Sequence, residues 1–349
     1  MIAWPDGHLE HLGSCPLCRS AARDVLYSDL TDTVMGCAPG KWTLWKCSGC
    51  GCAYLDPRPD RATIALAYAQ YHTHAPGSHT QNVVERWRLL YHKLRQAALR
   101  DYVNGKFGHT LGPALVGARL IIGFSPRFSR MAYGQIRHLP VPQTRTELLL
   151  DVGCGNGSFL SVAERIGYDP IGLEPDPKAA SVAQNEGGRV IVGHLPSDEL
   201  SGNSFAHVTM SHVLEHLHDP ISILNESYRL LKPGGRIWLA TPNIESALSN
   251  YFHRHWRGLE PPRHLVLFLP DLVRSVLQNV GFRSVEILAP SLEARWMACA
   301  SLSLKNHGTN VGMRDLPSEV RAKIRHADNN AKIDYRYGES ITAIGYKPA

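Results

Sequence analysis

The sequence predicts an α/β chain built on a parallel sheet, with a small cysteine-bearing segment in front of it. Three observations carry this. A buried-strand pattern at 147–152 runs into a glycine loop and then a helix. Strand-like and helical patterns alternate from there to residue 288. Two Cys-x-x-Cys units stand near the N-terminus. A length of 349 residues suits about two domains. The 44% hydrophobic and 19% charged fractions are those of a globular protein and exclude a disordered chain. No run approaches the ~20 apolar residues of a membrane span. The most apolar one, Ala114 to Phe124, is interrupted by Arg119. A net charge of +6 permits anionic partners without requiring nucleic acid. The opening residues lack a signal-peptide pattern, so a cytoplasmic, reducing setting is expected, where thiols bind metal more often than they pair.

Taken in chain order, the first segment is Cys15-Pro-Leu-Cys18 and Cys47-Ser-Gly-Cys50. Each unit offers two thiolates from one tight turn. Two such turns close a four-sulfur cage at Zn–S distances of about 2.3 Å, with no open position, so a structural Zn²⁺ is expected. A short, strand-poor segment of this kind depends on its metal to fold. Cys37 and Cys52 are spare, and Cys52 is an alternative fourth ligand. Pro57 and Pro59 end the zinc ribbon at residues 1–59.

Residues 60–140 read as a helical linker on the acceptor side. Val84, Trp87, Leu90, Tyr91, Leu94, Ala98 and Leu99 recur at helical spacing among Arg86, Arg88, Lys93, Arg95 and Arg100. Such a basic helix is ordinarily a solvated face; a nucleic-acid or peripheral membrane contact is the sharper alternative. The apolar stretch from Leu111 to Phe128 suits either a wall for an apolar acceptor or ordinary packing.

The most informative segment is Glu147-Leu-Leu-Leu-Asp151-Val-Gly153-Cys154-Gly155-Asn-Gly157. The apolar run reads as a buried parallel strand. Glycines on alternate positions allow a tight turn and a close backbone approach to a ligand. Ser158 to Ile166 reads as a helix ending at Gly167. A dinucleotide loop would need Gly at position 158, which is Ser, and a diphosphate beside Asp151 would be repelled. The next strand, Asp169 to Glu174, ends in an acid able to accept from both ribose hydroxyls. An adenosine bearing positive charge in place of phosphates fits S-adenosylmethionine.

From about Thr146 to Phe282 the chain resembles a class I S-adenosylmethionine-dependent methyltransferase. The resemblance rests on the glycine loop, Gly172-Leu-Glu-Pro-Asp176, Ser211-His-Val-Leu-Glu-His216 and Leu231-Lys-Pro-Gly-Gly235, in that order. With the cysteine units and Pro57-Arg-Pro59 it is similar to bacterial enzymes of sugar, polysaccharide or secondary-metabolite pathways. Trp256 to Phe268 resembles the same group. Ala206 departs from its usual Asp, at a strand start away from the expected cofactor. The resemblance implies a doubly wound, seven-stranded, Rossmann-like sheet over 141–349, with an insertion at about 290–338. It implies cofactor contacts from Asp151, Gly153, Cys154, Gly155 and Gly157, the ribose on Glu174, and Pro175 and Asp176 beside the adenine. His194 and Leu195 would border that ring, and Ser211 and His212 would lie near the sulfonium.

Further strands are expected at 190–193, 206–211, 236–240, 284–288 and 341–347, and helices at 219–231 and 270–280. A protonated nucleophile needs a base, and a histidine suits neutral pH. His264, behind two stiffening prolines, is the first candidate by resemblance. His216 and His212 follow. Arg263 and Trp256 are expected at the acceptor, Arg263 on a phosphate. The expected acceptor is a small molecule, sugar or lipid-linked glycan. Two alternatives are an RNA methyltransferase that docks RNA on the ribbon, and a non-catalytic cofactor-binding scaffold. RNA is disfavoured because no Asn/Asp-Pro-Pro-aromatic turn and no Pro-Cys nucleophile is present. Metal-assisted catechol chemistry is disfavoured because no acidic triplet appears.

Overall fold

The computed structural model describes residues 4–69, 83–123, 126–144, 146–289, 292–306, 308–331 and 333–349, with the side chains of 83–89, 122 and 126–128 outside the description. The expectations at Val84, Arg86, Trp87, Arg88, Phe124 and Phe128 therefore lie outside the described side chains.

In chain order come β1 (Leu9–Glu10), β2 (Arg23–Leu30), β3 (Trp42–Cys47), β4 (Ala53–Leu55) and β5 (Arg58–Pro59). Then follow α1 (Val83–Phe107), α2 (Arg119–Ile122) and α3 (Pro126–Gln135). The strand–helix alternation is β6 (Leu148–Val152), α4 (Ser158–Ile166), β7 (Asp169–Glu174), α5 (Pro177–Asn185), β8 (Val190–Val192) and β9 (Phe205–Ser211). It continues with α6 (Pro220–Leu230), β10 (Leu231–Pro242), α7 (Ala247–Phe252), β11 (Val266–Leu267), α8 (Pro270–Val280) and β12 (Arg283–Leu288). Last come α9 (Ala294–Lys305), α10 (Ser318–Asn330) and β13 (Ser340–Tyr346). Seven strands form one sheet in the order β12-β13-β10-β9-β6-β7-β8. The β6, β7 and β8 pairs are parallel, and β13 is antiparallel to β10 and β12. This is the doubly wound, Rossmann-like strand order that the sequence predicts.

The chain divides into two compact units, one of residues 72–197 and 204–209, the other of 1–71, 198–203 and 210–349. In the first, the helical region and the start of the sheet share one core. Leu99, Val103, Ala132, Ile136 and Leu139 pack with Leu149, Phe159, Ala163 and Ile166. Helix α4 starts at Gly157 and stops at Gly167, both left-handed, and the Gly167 N–H closes onto Ala163 and Glu164. Asp176 caps α5 by accepting from the Lys178 N–H at 2.9 Å, with Pro177 at the first helical position.

In the second unit, Asp219 caps α6 from the Ser222 N–H at 3.0 Å, and Pro220 opens the helix. The N-terminal segment is not strand-poor, as the sequence suggested. β2, β3 and β4 form an antiparallel sheet, and β11 adds to its edge through Val266↔Tyr54 and Leu267↔Ala53. Two residues of strand give no periodicity to read, so the sequence did not reveal β11. The expected insertion contains α9 and α10, which pack on each other and on α7.

Candidate functional site

The glycine loop follows β6 directly. Gly153, Gly155 and Gly157 all hold positive φ, +67°, +55° and +75°. Their type is required: a Cβ on Gly157 would stand 2.7 Å from the Ala183 Cβ. A Cβ on Gly172 of β7 would lie 2.5 Å from the Cys154 sulfur. Cys154 is thus buried against β7, and burial pushes its thiol pKa up. Glu174 ends β7, buried. One of its oxygens accepts from the Gly155 N–H at 2.8 Å and the other from the Asp176 N–H at 3.0 Å. Burial raises its pKa against these two hydrogen bonds. Two anchored oxygens, each with a lone pair left, suit a vicinal diol. Pro175 and His194 are exposed, and Leu195 is buried.

Asp151 is fully buried on β6. Its Oδ1 accepts from the Arg137 guanidinium and from Thr209 Oγ1 at 2.8 Å. Its Oδ2, also buried, has no hydrogen-bond partner among the described residues. Arg137 lies over the Phe159 ring at 3.7 Å. Sequence reasoning missed Arg137, and it changes the electrostatics. The acid is already neutralised by a cation, so it does not attract a sulfonium by bare charge. The orphaned Oδ2, beside a glycine-lined loop, fits a polar group of a bound cofactor.

In the other unit, Ser211 ends β9, half-buried. His212 follows at φ +55°, its N–H bonded to the Ala240 carbonyl at 2.8 Å. Its ring is 45% exposed, and its Nδ1 lies 3.2 Å from Glu215 Oε1. Glu215 is fully buried and also accepts from Thr241 Oγ1 at 2.8 Å. Against the cost of burial, His212 and the charges of neighbouring histidines hold its pKa at about 2. His216 Nδ1 stands 3.0 Å from the Arg263 carbonyl and 2.8 Å from Tyr68 Oη. A carbonyl only accepts, so Nδ1 is the donor in that contact.

His264 is buried, its Nδ1 donating to the Gly258 carbonyl at 2.7 Å. Burial, then the neighbouring His216, lowers its pKa to about 4. The residue expected first as a base is thus held neutral in a site that disfavours taking up a proton. Glu215, His216 and His264 each offer a donor atom, all within 4.8 Å of one another. This mixed group was invisible to a search for an acidic triplet.

Two acceptor expectations meet a different arrangement. Arg263, expected on a phosphate, is completely buried. It donates from Nη1 to Asp32 Oδ2 at 3.0 Å and to the Ala67 carbonyl at 2.8 Å, and from Nε to Glu260 Oε1 at 2.9 Å. Trp256 is buried too, and its Nε1 donates to Glu339 at 3.1 Å. Both residues hold loop 253–264 together; neither presents a free donor.

The four cysteine sulfurs Cys15, Cys18, Cys47 and Cys50 lie within 4.8 Å of one another. Cys15–Cys50 is 3.6 Å and Cys18–Cys47 is 3.4 Å. A zinc tetrahedron with bonds of about 2.3 Å has edges of about 3.8 Å, so the cluster fits that ion. Cys52 is buried beside it, 3.4 Å from Cys15 and 3.5 Å from Cys50, but outside this group of four.

With this geometry in hand, comparison with known proteins is informative. The pattern describing the "Methyltransferase domain" family matches residues 127–287. Similar curated proteins include the ubiquinone biosynthesis O-methyltransferases of Pseudomonas paraeruginosa and Xanthomonas oryzae pv. oryzae. The first is 35% identical over 103 residues, 27% of this chain and 44% of the relative. The second is 35% identical over 102 residues, 27% and 43%. The chain therefore spans less than half the length of these relatives. Among solved structures, a possible histamine N-methyltransferase of Thermotoga maritima matches at TM-score 0.41 and 16% identity, over 76% of this chain and 96% of that one. A putative methyltransferase from Haloferax volcanii, in complex with its Trm112 activator, matches at 0.45 and 17%, over 72% and 98%.

Proposed function

We propose that the chain is a class I S-adenosylmethionine-dependent methyltransferase that methylates a hydroxyl of a small-molecule, sugar or lipid-linked acceptor, with His212 as the base; the match of residues 127–287 to a methyltransferase domain supports the reaction class. The observation that carries this reading is the His212–Glu215 pair. Glu215 orients the ring through Nδ1, so Nε2 is the nitrogen assigned to take the acceptor's proton. The buried carboxylate also stabilises the imidazolium that forms. His212 follows the carboxyl end of β9, the end of a strand at which doubly wound sheets bind ligands. The matched relatives are O-methyltransferases, which supports an oxygen acceptor.

S-adenosylmethionine supplies an electrophilic methyl on a sulfonium, so the protein's share is orientation and proton removal. Gly153, Gly155 and Gly157 give the backbone approach, Glu174 takes the ribose hydroxyls, and Asp151 Oδ2 takes a polar hydrogen of the cofactor. Leu195 and His194 border the adenine. A structural Zn²⁺ on Cys15, Cys18, Cys47 and Cys50 holds the N-terminal sheet, and the sulfur separations support it.

The test is transfer of tritiated methyl from S-adenosylmethionine into a fractionated host extract. Label is expected in the small-molecule or lipid pool. His212→Gln is expected to lower turnover by about 10²-fold or more at unchanged cofactor affinity. Label in RNA favours docking of RNA on the ribbon, and label in no pool favours a non-catalytic scaffold.

A further inference from the structure

Among the described residues, no helix is long and apolar enough to cross a membrane. Nevertheless one face of the 72–197 unit carries apolar side chains in open solvent. Val116 is 89% exposed, Ile121 78%, Leu120 69% and Tyr91 65%; Leu90, Leu94 and Leu115 are about half exposed. Globular proteins rarely leave so many large apolar groups together in water without a use for them.

The backbone explains why they sit together. The loop after α1 runs back along that helix and is tied to it. The Leu115 N–H donates to the Ala97 carbonyl at 3.0 Å. The Arg119 N–H donates to Asp101 Oδ2 at 2.8 Å. Arg100 holds the Gly112 and Pro113 carbonyls, and Asn104 accepts from the Leu111 N–H at 2.8 Å. Leu94 lies one turn before Ala97, and Leu90 and Tyr91 one turn earlier still. The loop's polar atoms therefore face α1, while Val116, Leu120 and Ile121 point away.

The described side chains of this segment carry charge of one sign in solvent. From residue 90 to 123 the chain has a single acid, Asp101, and that acid is buried on the Arg119 N–H. Lys93, Lys106 and Arg119 are exposed. We propose that this face docks on an anionic lipid bilayer, inserting Val116, Leu120 and Ile121 below the headgroups while the basic residues meet the lipid phosphates. The chemistry selects this occupant over two others. A second copy of the same face would set its cations against each other. Single-stranded nucleic acid is held by stacking rings, and the tip is aliphatic. Aliphatic insertion beside cations is how an interfacial segment holds a membrane.

The proposal does not rest on methyl transfer, and its test reads no activity. The full chain is sedimented with phosphatidylcholine vesicles, with and without phosphatidylglycerol. Binding is expected only with the anionic lipid, and it should weaken as salt rises. Lys93→Ala should weaken it about fivefold. Ile121→Asp and Val116→Asp should each weaken it about tenfold or more, with thermal stability unchanged because both side chains are exposed. If a variant fails to fold, the lipid and salt dependence of the unmodified chain still decides. Equal binding to both vesicles, no binding to either, tight binding to RNA without vesicles, or a dimer dispersed by Ile121→Asp would each overturn the proposal.

Discussion

Arg137 and Asp151 form the buried ion pair beside the glycine loop. Arg137 sits in the left-handed region at φ +46° and reaches a carboxylate with almost no solvent contact. Removing one partner of such a pair strands a buried charge. Arg137→Met is expected to cost roughly 3 kcal/mol of stability in urea unfolding. Adding Asp151→Asn should return part of the loss. If Arg137→Met is neutral, the ion pair does not hold the loop. Gly157→Ala is the sharper change, because φ +75° and the Ala183 contact both oppose a side chain. It should cost about 1–3 kcal/mol and abolish cofactor binding measured by calorimetry. The strand, glycine turn and acid-ended strand that carry Asp151, the glycines and Glu174 were legible in the sequence because they form a local pattern. Arg137 was not, because an ion pair bridging a strand and a preceding loop leaves no spacing rule. The burial of Arg263 and Trp256 was equally hidden, since their partners Asp32 and Glu339 are distant in the chain.

Among the elements, loop 253–264 and the residue just before strand β13 carry two buried titratable groups of opposite tendency. His264 is held at about 4, below the ~6.5 of an exposed ring. Between those values the unfolded chain binds more protons, so this group makes stability rise with pH. Glu339 accepts from Trp256, Ser246 and the Leu248 N–H, but burial drives its pKa up to about 7, above the ~4.5 of an exposed carboxyl. Between those values the folded chain binds more protons, so this group makes stability fall with pH. Each shift is worth about 3 kcal/mol, and they offset across pH 4.5–6.5. His264→Gln should therefore steepen the loss of stability as pH rises through that window, and Glu339→Gln should steepen the gain. Urea unfolding at a series of pH values checks both. Variants with the slope of the unmodified chain would contradict the assignment. Element starts and stops at Gly157, Gly167 and Asp219 were well marked in the sequence because caps are local chemistry, whereas the Asp176 cap of α5 went unread. Strand β11 was not, because pairing with β4 alone defines it.

At the scale of the whole molecule, a four-sulfur cluster sits on a sheet that includes β11 (Val266–Leu267), distant in sequence from the cysteines. On the proposed structural zinc, a chelator is expected to lower the thermal midpoint and release stoichiometric zinc, read by absorption spectrometry, and Cys47→Ser to lower both the midpoint and the zinc content. Purified protein that lacks zinc and melts unchanged with a chelator would remove the metal from the structure. The alternation of strands and helices made the sheet readable from sequence. The acceptor was not readable, because a fold of this kind reports its cofactor better than its substrate. The central claim is that the glycine loop takes S-adenosylmethionine and no dinucleotide. Calorimetric titration of the full chain with S-adenosylhomocysteine, and separately with NADH, tests it most directly. S-adenosylhomocysteine is expected to bind, about tenfold or more weakly in Glu174→Ala with the loss of the ribose contact, and NADH not at all. Binding of NADH without S-adenosylhomocysteine would contradict it.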